Sequence, residues 1–338
     1  MSTIKDIAEA ANVSVFTVSS VLNNKTKTAR ISEQRAREVR AIAARMGYRP
    51  SAAARAVRTQ RTRQVGILVP NNPGDRFTHP LAYETVLGIN EGLQTEGYVA
   101  VMARIDDVES DLASNSRVFQ EHMLDGMIVM SSMPTTVERC LEALIPCCVW
   151  CDSNVWRQHG CVRRDEFAAG ERAGQAACDA APDRIVMLTY RLGASPHFST
   201  EQRLAGVHKA VLDSGIELQR FEEPMPGDAA HWSDFCRQLG TRTVVVCNSI
   251  YQALAARSAA EERDLIPGKD FGLVCCDGMH QLDRLWPGLS RVEFDRYGMG
   301  LAAADMMRKL IGGASADCPS KILGSEWVKG NTVRHKDD

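Results

Sequence analysis

Thr3-Ile4-Lys5-Asp6-Ile7-Ala8-Glu9-Ala10-Ala11-Asn12-Val13-Ser14, continuing as Val15-Phe16-Thr17-Val18-Ser19-Ser20-Val21-Leu22-Asn23, decides how the rest of the chain is understood. Thr3 before Ile4-Lys5-Asp6 is a capping-box-like helix start in which Asp replaces the usual Glu or Gln. Ile4, Ile7, Ala8 and Ala11 then fall on one helical face. Asn12 marks a break, and Ser14 is a good N-cap for a second helix from Val15 to Leu22. Two short helices joined by three or four residues have helix-turn-helix geometry. In that arrangement the second helix presents its N-terminal side chains to base edges in the major groove. Ser32 caps a third helix, whose Ala36, Val39, Ile42, Ala43 and Met46 pack it onto the first two. Gly47 ends it, where a positive φ is often needed.

The charge pattern agrees. Residues 1–63 carry thirteen Lys/Arg against four Asp/Glu, a net of +9, while the remainder carries 27 against 38, a net of −11. A near-neutral chain therefore joins a basic module to an acidic body, which points to a polyanion partner for one end only. At 338 residues, 44% hydrophobic and 24% charged, there is room for two or three domains. No apolar run reaches the roughly 18 residues of a membrane span. The polar N-terminus lacks the apolar region of a secretory signal, so neither membrane nor export is expected. The eleven cysteines lie mostly in apolar stretches such as Pro146–Cys151 and Val274–Cys276. There a free thiol behaves as a small hydrophobe. Cys147, Cys148, Cys151 and Cys161 do not form the paired spacing of a zinc site. A reduced, cytoplasmic protein without metal or other cofactor is expected.

Thr3 through Ala8, Val13-Ser14, Thr17-Val18-Ser19, Val21-Leu22-Asn23 and Gly47-Tyr48-Arg49-Pro50 closely resemble the LacI/GalR family of bacterial transcription regulators. The resemblance makes Val15, Phe16 and Ser20 the principal base-reading positions. Val15 and Phe16 can press on thymine methyls or wedge by shape, and Ser20 can donate or accept. Many family members have Arg where Ser20 stands, so the usual Arg–guanine contact is missing. The alternative for Phe16 is the core, although Val18 and Val21 already supply that face. Thr3, Thr17, Ser19, Asn23, Arg30 and Tyr48 are the expected phosphate or groove-edge contacts, which position the module without reading sequence. Arg35, Arg37, Arg40 and Arg45 are open to the plainer reading of a solvated helix face.

Pro50-Ser51-Ala52-Ala53-Ala54-Arg55-Ala56-Val57-Arg58 has high helix propensity but is too short to be stable alone. In the resembling family this segment is a hinge helix that orders on operator DNA. There it contacts the minor groove, here through Ala54 and Val57. The wedge that kinks the central step falls on Val57, where the family usually has Leu. A basic flexible linker is the other reading.

From Gln64 onward apolar runs alternate with amphipathic stretches. Strands are expected at Val65–Val69, Val99–Met102, Asp125–Met130, Cys147–Trp150, Ile185–Leu188, Val244–Cys247 and Phe271–Cys275. Helices are expected at Leu81–Glu96, Leu112–Leu124, Phe167–Ala180, Thr200–Ser214 and Ile250–Arg263. Repeating βα units imply parallel sheets covered by helices. The expected fold is an all-α helix-turn-helix domain (1–48), a hinge (49–63), and an α/β body of two doubly wound subdomains. These are 64–164 plus 294–324, and 165–293 plus 325–338. The body resembles the family's periplasmic-binding-protein type-I fold.

Ligands of open α/β sheets bind beyond the carboxyl ends of strands, so the expected site is the cleft between subdomains. Asp152, Arg203, Asn248 and Asp277 match positions that in the family hydrogen-bond a small effector, commonly a sugar or purine. Ser199 joins them one helical turn before Arg203. Each Asp or Asn can equally cap a helix or turn. Ser249 and Gly278 stand where the family often has Asp, and Phe294 where it often has Gln, which makes the site less polar. Trp156 and Trp232 can stack on a ring or belong to the core.

A ligand-responsive repressor of double-stranded, pseudo-palindromic operator DNA is therefore the leading expectation, with a sugar or related metabolite as effector. An activator or dual regulator answering to a non-sugar ligand or a protein partner is the alternative. A solute-binding protein would need an export signal and would not need residues 1–63. An enzyme is not expected, because no nucleophile elbow, Walker lysine loop or metal-spaced His pair appears. The family resemblance implies a homodimer, and the polar tail Lys329–Asp338 offers no heptads for a coiled coil.

Overall fold

The computed structural model describes residues 2–24, 26–27, 29–70, 79–105, 117–130, 135–190, 197–212, 214–223, 228–314 and 318–334. They fall into two compact units, Met1–Thr62 and Arg63–Asp338.

The first unit contains α1 (Ile4–Ala10), α2 (Val15–Leu22), α3 (Glu33–Arg45) and α4 (Ala52–Thr59). Asp6 completes the capping box despite its short side chain. The Thr3 N–H donates to its carboxylate at 2.7 Å, and its own N–H donates to Thr3 Oγ1 at 3.3 Å. Hydrogen bonds from the Thr3 backbone and side chain hold the Asp6 carboxyl below its ordinary range. Ser14 and Ser32 cap α2 and α3 by accepting from the N–H groups of Thr17 and Arg35. Asn12 turns the chain between α1 and α2 with φ of 48°. Ile7, Ala8, Ala11, Val18, Val21, Ala36, Val39 and Ala43 form the core. With alanine at half of these positions the helices can lie close. α4 buries no residue, so nothing in this unit's core holds it.

In the second unit the first lobe opens with β1 (Gln64–Pro70), α5 (His79–Thr95), β2 (Val99–Ile105), α6 (Arg117–Gln120) and β3 (Gly126–Met130). It continues with α7 (Thr135–Leu144), β4 (Cys148–Cys151) and β5 (Cys161–Arg164). The second lobe opens with α8 (Glu166–Asp179), β6 (Arg184–Thr189), α9 (Phe198–Val211), β7 (Glu217–Glu222), α10 (Ala229–Cys236) and β8 (Thr243–Cys247). It continues with α11 (Ile250–Glu261), β9 (Gly272–Cys275), α12 (Leu282–Leu285) and β10 (Ser290–Phe294). The chain then returns with α13 (Arg296–Ile311) and β11 (Lys321–Leu323) to the first lobe, and ends with β12 (Ser325–Val328) in the second.

Two six-stranded sheets result, ordered β11-β5-β4-β3-β1-β2 and β12-β10-β9-β8-β6-β7. β12 alone runs antiparallel to its neighbour β10. Both faces of each sheet are covered, so β3 and β8 are buried at every position, as parallel strands between helix layers must be. All eleven cysteines are free thiols. Cys147, Cys151 and Cys318 belong to one face of the first lobe's core and Cys236, Cys247 and Cys275 to one face of the second's. Burial pushes the Cys148 thiol up to about 12, which removes its nucleophilic form at neutral pH.

The chain passes between lobes at Asp165, Asp295 and Gly324. The two helical passages are built alike. Asp165 caps α8 by accepting from the Ala168 N–H at 3.0 Å, and Asp295 caps α13 by accepting from the Gly298 N–H at 2.7 Å. Each helix then packs against a partner through a pair of glycines. A Cβ on Gly170 of α8 would overlap the Arg203 carbonyl of α9, and one on Gly206 of α9 would overlap the Phe167 carbonyl. Gly300 of α13 and Gly88 of α5 meet the Thr85 and Tyr297 carbonyls in the same way.

The expected helix Leu112–Leu124 is much reduced. Residues 112–116 lie outside the described residues, and of the remainder only Arg117–Gln120 is helical. Sequence reading passed over β7, whose Glu-Leu-Gln-Arg-Phe-Glu is an edge strand with mixed exposure. It also passed over β5, whose four residues are half arginine. Among the described residues no helix is long and apolar enough to cross a membrane.

Gly170→Ala and Gly300→Ala are each expected to lower stability by about 1–3 kcal/mol through overpacking, read as a drop in the urea midpoint. An unchanged midpoint for both would show that the helix pairs do not depend on close backbone approach.

Candidate functional site

Two sets of residues stand out, one in each unit. In the first, Val15 and Phe16 occupy the opening turn of α2 and are 46% and 69% exposed. The core is complete without them, because Val18 and Val21 turn inward from the same helix. Ser20, one turn further along the same side of α2, is only 7% exposed, so it offers little surface to a base. The remaining polar side chains of α2 are engaged locally. Thr17 Oγ1 lies 2.9 Å from Ser14 Oγ, and Asn23 Nδ2 donates to the Ser19 carbonyl at 2.7 Å. Thr3 is exposed with its hydroxyl in the cap, Arg30 is exposed with φ of 51°, and Tyr48 lies half-buried against the core. Ala54 and Val57 are exposed on α4, Val57 to 84%.

The second set joins the two lobes. Arg164 ends β5, Glu166 opens α8, Arg203 sits mid-α9, Asp277 follows β9 and Arg296 opens α13. All five are almost fully buried. Asp277 is the hub: its carboxylate accepts from Arg203 at 2.8 Å, from Arg164 at 3.0 Å and from Arg296. Arg164 also forks onto both oxygens of Asp152 at 3.2 and 2.9 Å and pairs with Glu166 at 3.0 Å. Arg203 forks onto Glu166 at 2.6 and 2.9 Å. It also donates to the Asn248 carbonyl at 2.6 Å and to Asn248 Oδ1 at 3.1 Å. Three guanidinium groups thus face the three carboxylates of Asp152, Glu166 and Asp277, and the formal charge cancels.

Burial alone would raise the Asp277 carboxyl, but Arg203, Arg296 and Arg164 hold it far below the ordinary carboxylate range. Asp152 is also held low, by Arg164 and His197 against the opposing effect of burial. A second layer ties the lobes beside the cluster. His197 caps α9, its Nε2 lies 2.9 Å from the Asp152 carbonyl, and its Nδ1 lies 2.8 Å from Ser199 Oγ. The Phe198 N–H donates to Asn154 Oδ1 at 2.8 Å.

Of the residues expected around an effector, Asp152, Arg203, Asn248 and Asp277 are brought together. Ser199 reaches them through His197. Phe294 lies beneath the Arg164 guanidinium, 4.9 Å from its ring centre. Arg203, however, spends its fork on Glu166 inside the protein. Among the described residues the fully buried Asn248 Nδ2 has no hydrogen-bond partner. Tyr190 and Ser249 hydrogen-bond beside it, and Gln252 accepts from the Asn248 N–H at 2.9 Å while donating to Glu223 at 3.0 Å. Trp232 belongs to the core against Phe235, and Trp156 carries the Arg163 guanidinium 4.2 Å from its ring centre. Arg164, Glu166, Arg296 and His197 were not anticipated. Glu166 and Arg296 carried a signal, a charged residue directly after the capping Asp at two interlobe passages; Arg164 and His197 did not.

Residues 3–51 match the profile of bacterial regulatory proteins of the lacI family, and residues 182–333 match a periplasmic binding protein-like domain. The transcriptional repressor PurR of Mannheimia succiniciproducens is 25% identical over 300 residues, covering 86% of both chains. PurR of Klebsiella pneumoniae is 27% identical over 304 residues, covering 86% of this chain and 85% of its own. Among solved structures, the Lac repressor dimer bound to operator and the anti-inducer ONPF superposes with a TM-score of 0.77 at 20% identity, covering 98% of both chains. A CelR–cellobiose complex does so at 0.67 and 19%, covering 98% of this chain and all of its own.

Arg164→Met removes the guanidinium facing Asp152 and one of three facing Asp277. Leaving buried charge uncompensated costs about 3–5 kcal/mol, which Asp152→Asn in the same chain is expected to recover in part. Because the folded carboxyls of Asp277 and Asp152 titrate below their unfolded values, their contribution to stability is fully present above the ordinary carboxylate range and is lost as pH falls. The melting temperature should therefore decline from about pH 5 toward pH 3, and decline less steeply in Asp277→Asn.

Proposed function

The chain belongs to the LacI family of bacterial regulatory proteins, and on that footing we infer that it is a DNA-binding transcriptional repressor whose operator affinity is set by a small effector held where its two lobes meet. The observation that carries the DNA-binding half is the uncovered apolar tip of α2 on a capped helix-turn-helix with a net charge of +9 over residues 1–63. Basic residues supply salt-dependent attraction to phosphates, and the helix tip supplies contact with base edges. Val57, uncovered on α4, supports a wedge into the minor groove.

The buried polar set around Asn248, Arg203 and Asp277 supports the effector half. Its charges are already balanced internally, so an uncharged ligand with hydroxyl or carbonyl acceptors suits it better than an anion. Cellobiose in the CelR complex points the same way, and a saccharide is the proposed class. Occupancy would bias the arrangement of the lobes, and linkage makes the effect reciprocal: DNA lowers or raises effector affinity by the same factor, typically about 5–150-fold. A homodimer is proposed from the dimeric Lac repressor structure and from the exposed Tyr83 and Leu87, one turn apart on α5. Two copies would place two reading heads on a pseudo-palindrome.

A thermal-shift screen of saccharides, nucleosides and organic acids tests the effector assignment, since a ligand that binds only the folded state raises the melting temperature. A saccharide is expected to score, and Asn248→Ala to abolish its shift; a screen in which only organic acids score would overturn the assignment. Separately, Val57→Asp should weaken operator binding by more than about tenfold, as unstacking a base step relies on an apolar wedge, while leaving the saccharide shift intact. Equal gel-shift affinities for the two proteins would sink the wedge.

A further inference from the structure

We infer that the α2 tip reads the 5-methyl group of a pyrimidine rather than a hydrogen-bond pattern, so that 5-methylcytosine can take the place of thymine in the operator. This rests on the reading of the chain as a DNA-binding protein. It follows from an inventory of what α2 can present. Its first two side chains, Val15 and Phe16, hold no hydrogen-bonding atom and are the most exposed apolar groups of the helix. The hydroxyl of Thr17 is engaged with Ser14. The amide of Asn23 turns back onto the Ser19 carbonyl and lies 3.4 Å from the Ser19 hydroxyl. Ser20 is buried. None of these side chains is set to fork onto a purine, as Arg does on guanine or Asn and Gln on adenine.

In the major groove thymine shows an O4 acceptor and a 5-methyl group, and cytosine an N4 donor with a bare C5. An apolar tip gains from the methyl and is indifferent to the neighbouring donor or acceptor. 5-Methylcytosine combines the hydrogen-bond pattern of cytosine with the methyl of thymine. A hydrogen-bonding reader groups it with cytosine; the Val15-Phe16 tip groups it with thymine. The net charge of +9 over residues 1–63 selects a polyanion as the partner that covers this patch, in preference to another protein surface.

The test uses the full-length chain and a random-sequence DNA duplex pool, from which bound sequences are selected and one site is rebuilt. Each T·A pair is replaced in turn by U·A, by C·G and by 5-methyl-C·G, and affinity is measured at fixed salt. At the positions under the α2 tip, uracil is expected to weaken binding about fourfold for each buried methyl lost, or about fifteenfold when both half-sites are changed. Cytosine should weaken it at least as much, and 5-methylcytosine should return it to within about twofold of thymine. Phe16→Ala, at a position that is 69% exposed and outside the core cluster, should melt as the parent does and is expected to flatten the thymine–uracil difference. Uracil binding as tightly as thymine, or 5-methylcytosine binding no better than cytosine, overturns the inference and leaves the DNA-binding reading standing. So does a Phe16→Ala chain with unaltered affinity for every duplex, which places the tip on another partner. A pool that yields no bound sequence overturns the DNA-binding reading, and this inference with it.

Discussion

Asp277 accepts hydrogen bonds from guanidinium groups on three separate parts of the chain: the end of β5, the middle of α9 and the start of α13. The second unit is organised around that fact. Neither lobe can hold the cluster alone, since Arg164 and Asp152 come from the first lobe while Asp277 and Arg203 come from the second. A buried carboxylate facing three cations is tolerable only if further anions restore balance. Glu166 and Asp152 do so. The consequence is geometric rather than simply stabilising. Hydrogen-bonded ion pairs fix direction as well as distance, so the lobes share one set of orientations as long as the cluster is intact. Any molecule that changes their relationship must compete with it.

The passages between lobes show how the chain delivers charge to that place. Each helical passage has a capping Asp, then one charged residue whose side chain is buried, then a glycine five residues after the cap. The cap lets the helix begin immediately after a strand. The first helical residue, Glu166 in one case and Arg296 in the other, is thereby set at the junction with opposite charge. The glycine brings the partner helix close enough to fix the helix axis. Position 203 is caught in this arrangement twice: its carbonyl is what Gly170 packs against, and its guanidinium binds Glu166. Backbone packing and ion pairing thus specify the same register between α8 and α9.

How much of this was legible depends on the range of the forces involved. The helix-turn-helix is local: caps at Thr3, Ser14 and Ser32 and a repeat of small apolar residues lie within a few positions of one another, and the helices formed there. The buried strands β3 and β8 announced themselves as continuous apolar runs. β7 did not, because an edge strand need not be apolar. The four polar residues chosen for the effector site do meet, yet their roles were hidden. Arg203 was expected to hydrogen-bond an effector, and its fork is taken by Glu166, a residue 37 positions away that the sequence marks only as a charge directly after a capping Asp. Ser20 was expected among the base-reading positions; it lies one turn beyond Phe16 on the same side of α2, yet it is only 7% exposed, which leaves little of its hydroxyl to present.

The two units use charge in opposite ways, and this gives the uneven distribution along the chain its meaning. In the first unit basic residues outnumber acidic ones, which suits a partner that arrives with its own charge and counterions to release. Phosphate attraction does not itself discriminate sequences; the uncovered side chains at the tip of α2 are apolar, and on α4 Val57 is uncovered beside the exposed Arg55 and Arg58. In the second unit the charges at the lobe junction are cancelled from within, so the proposed effector gains little by bringing charge and much by fitting a hydrogen bond that is still open, that of Asn248 Nδ2. On the proposed function, recognition in each unit therefore falls to uncharged groups. The charged residues set the conditions, attraction in one unit and lobe geometry in the other, under which those few uncharged contacts can discriminate.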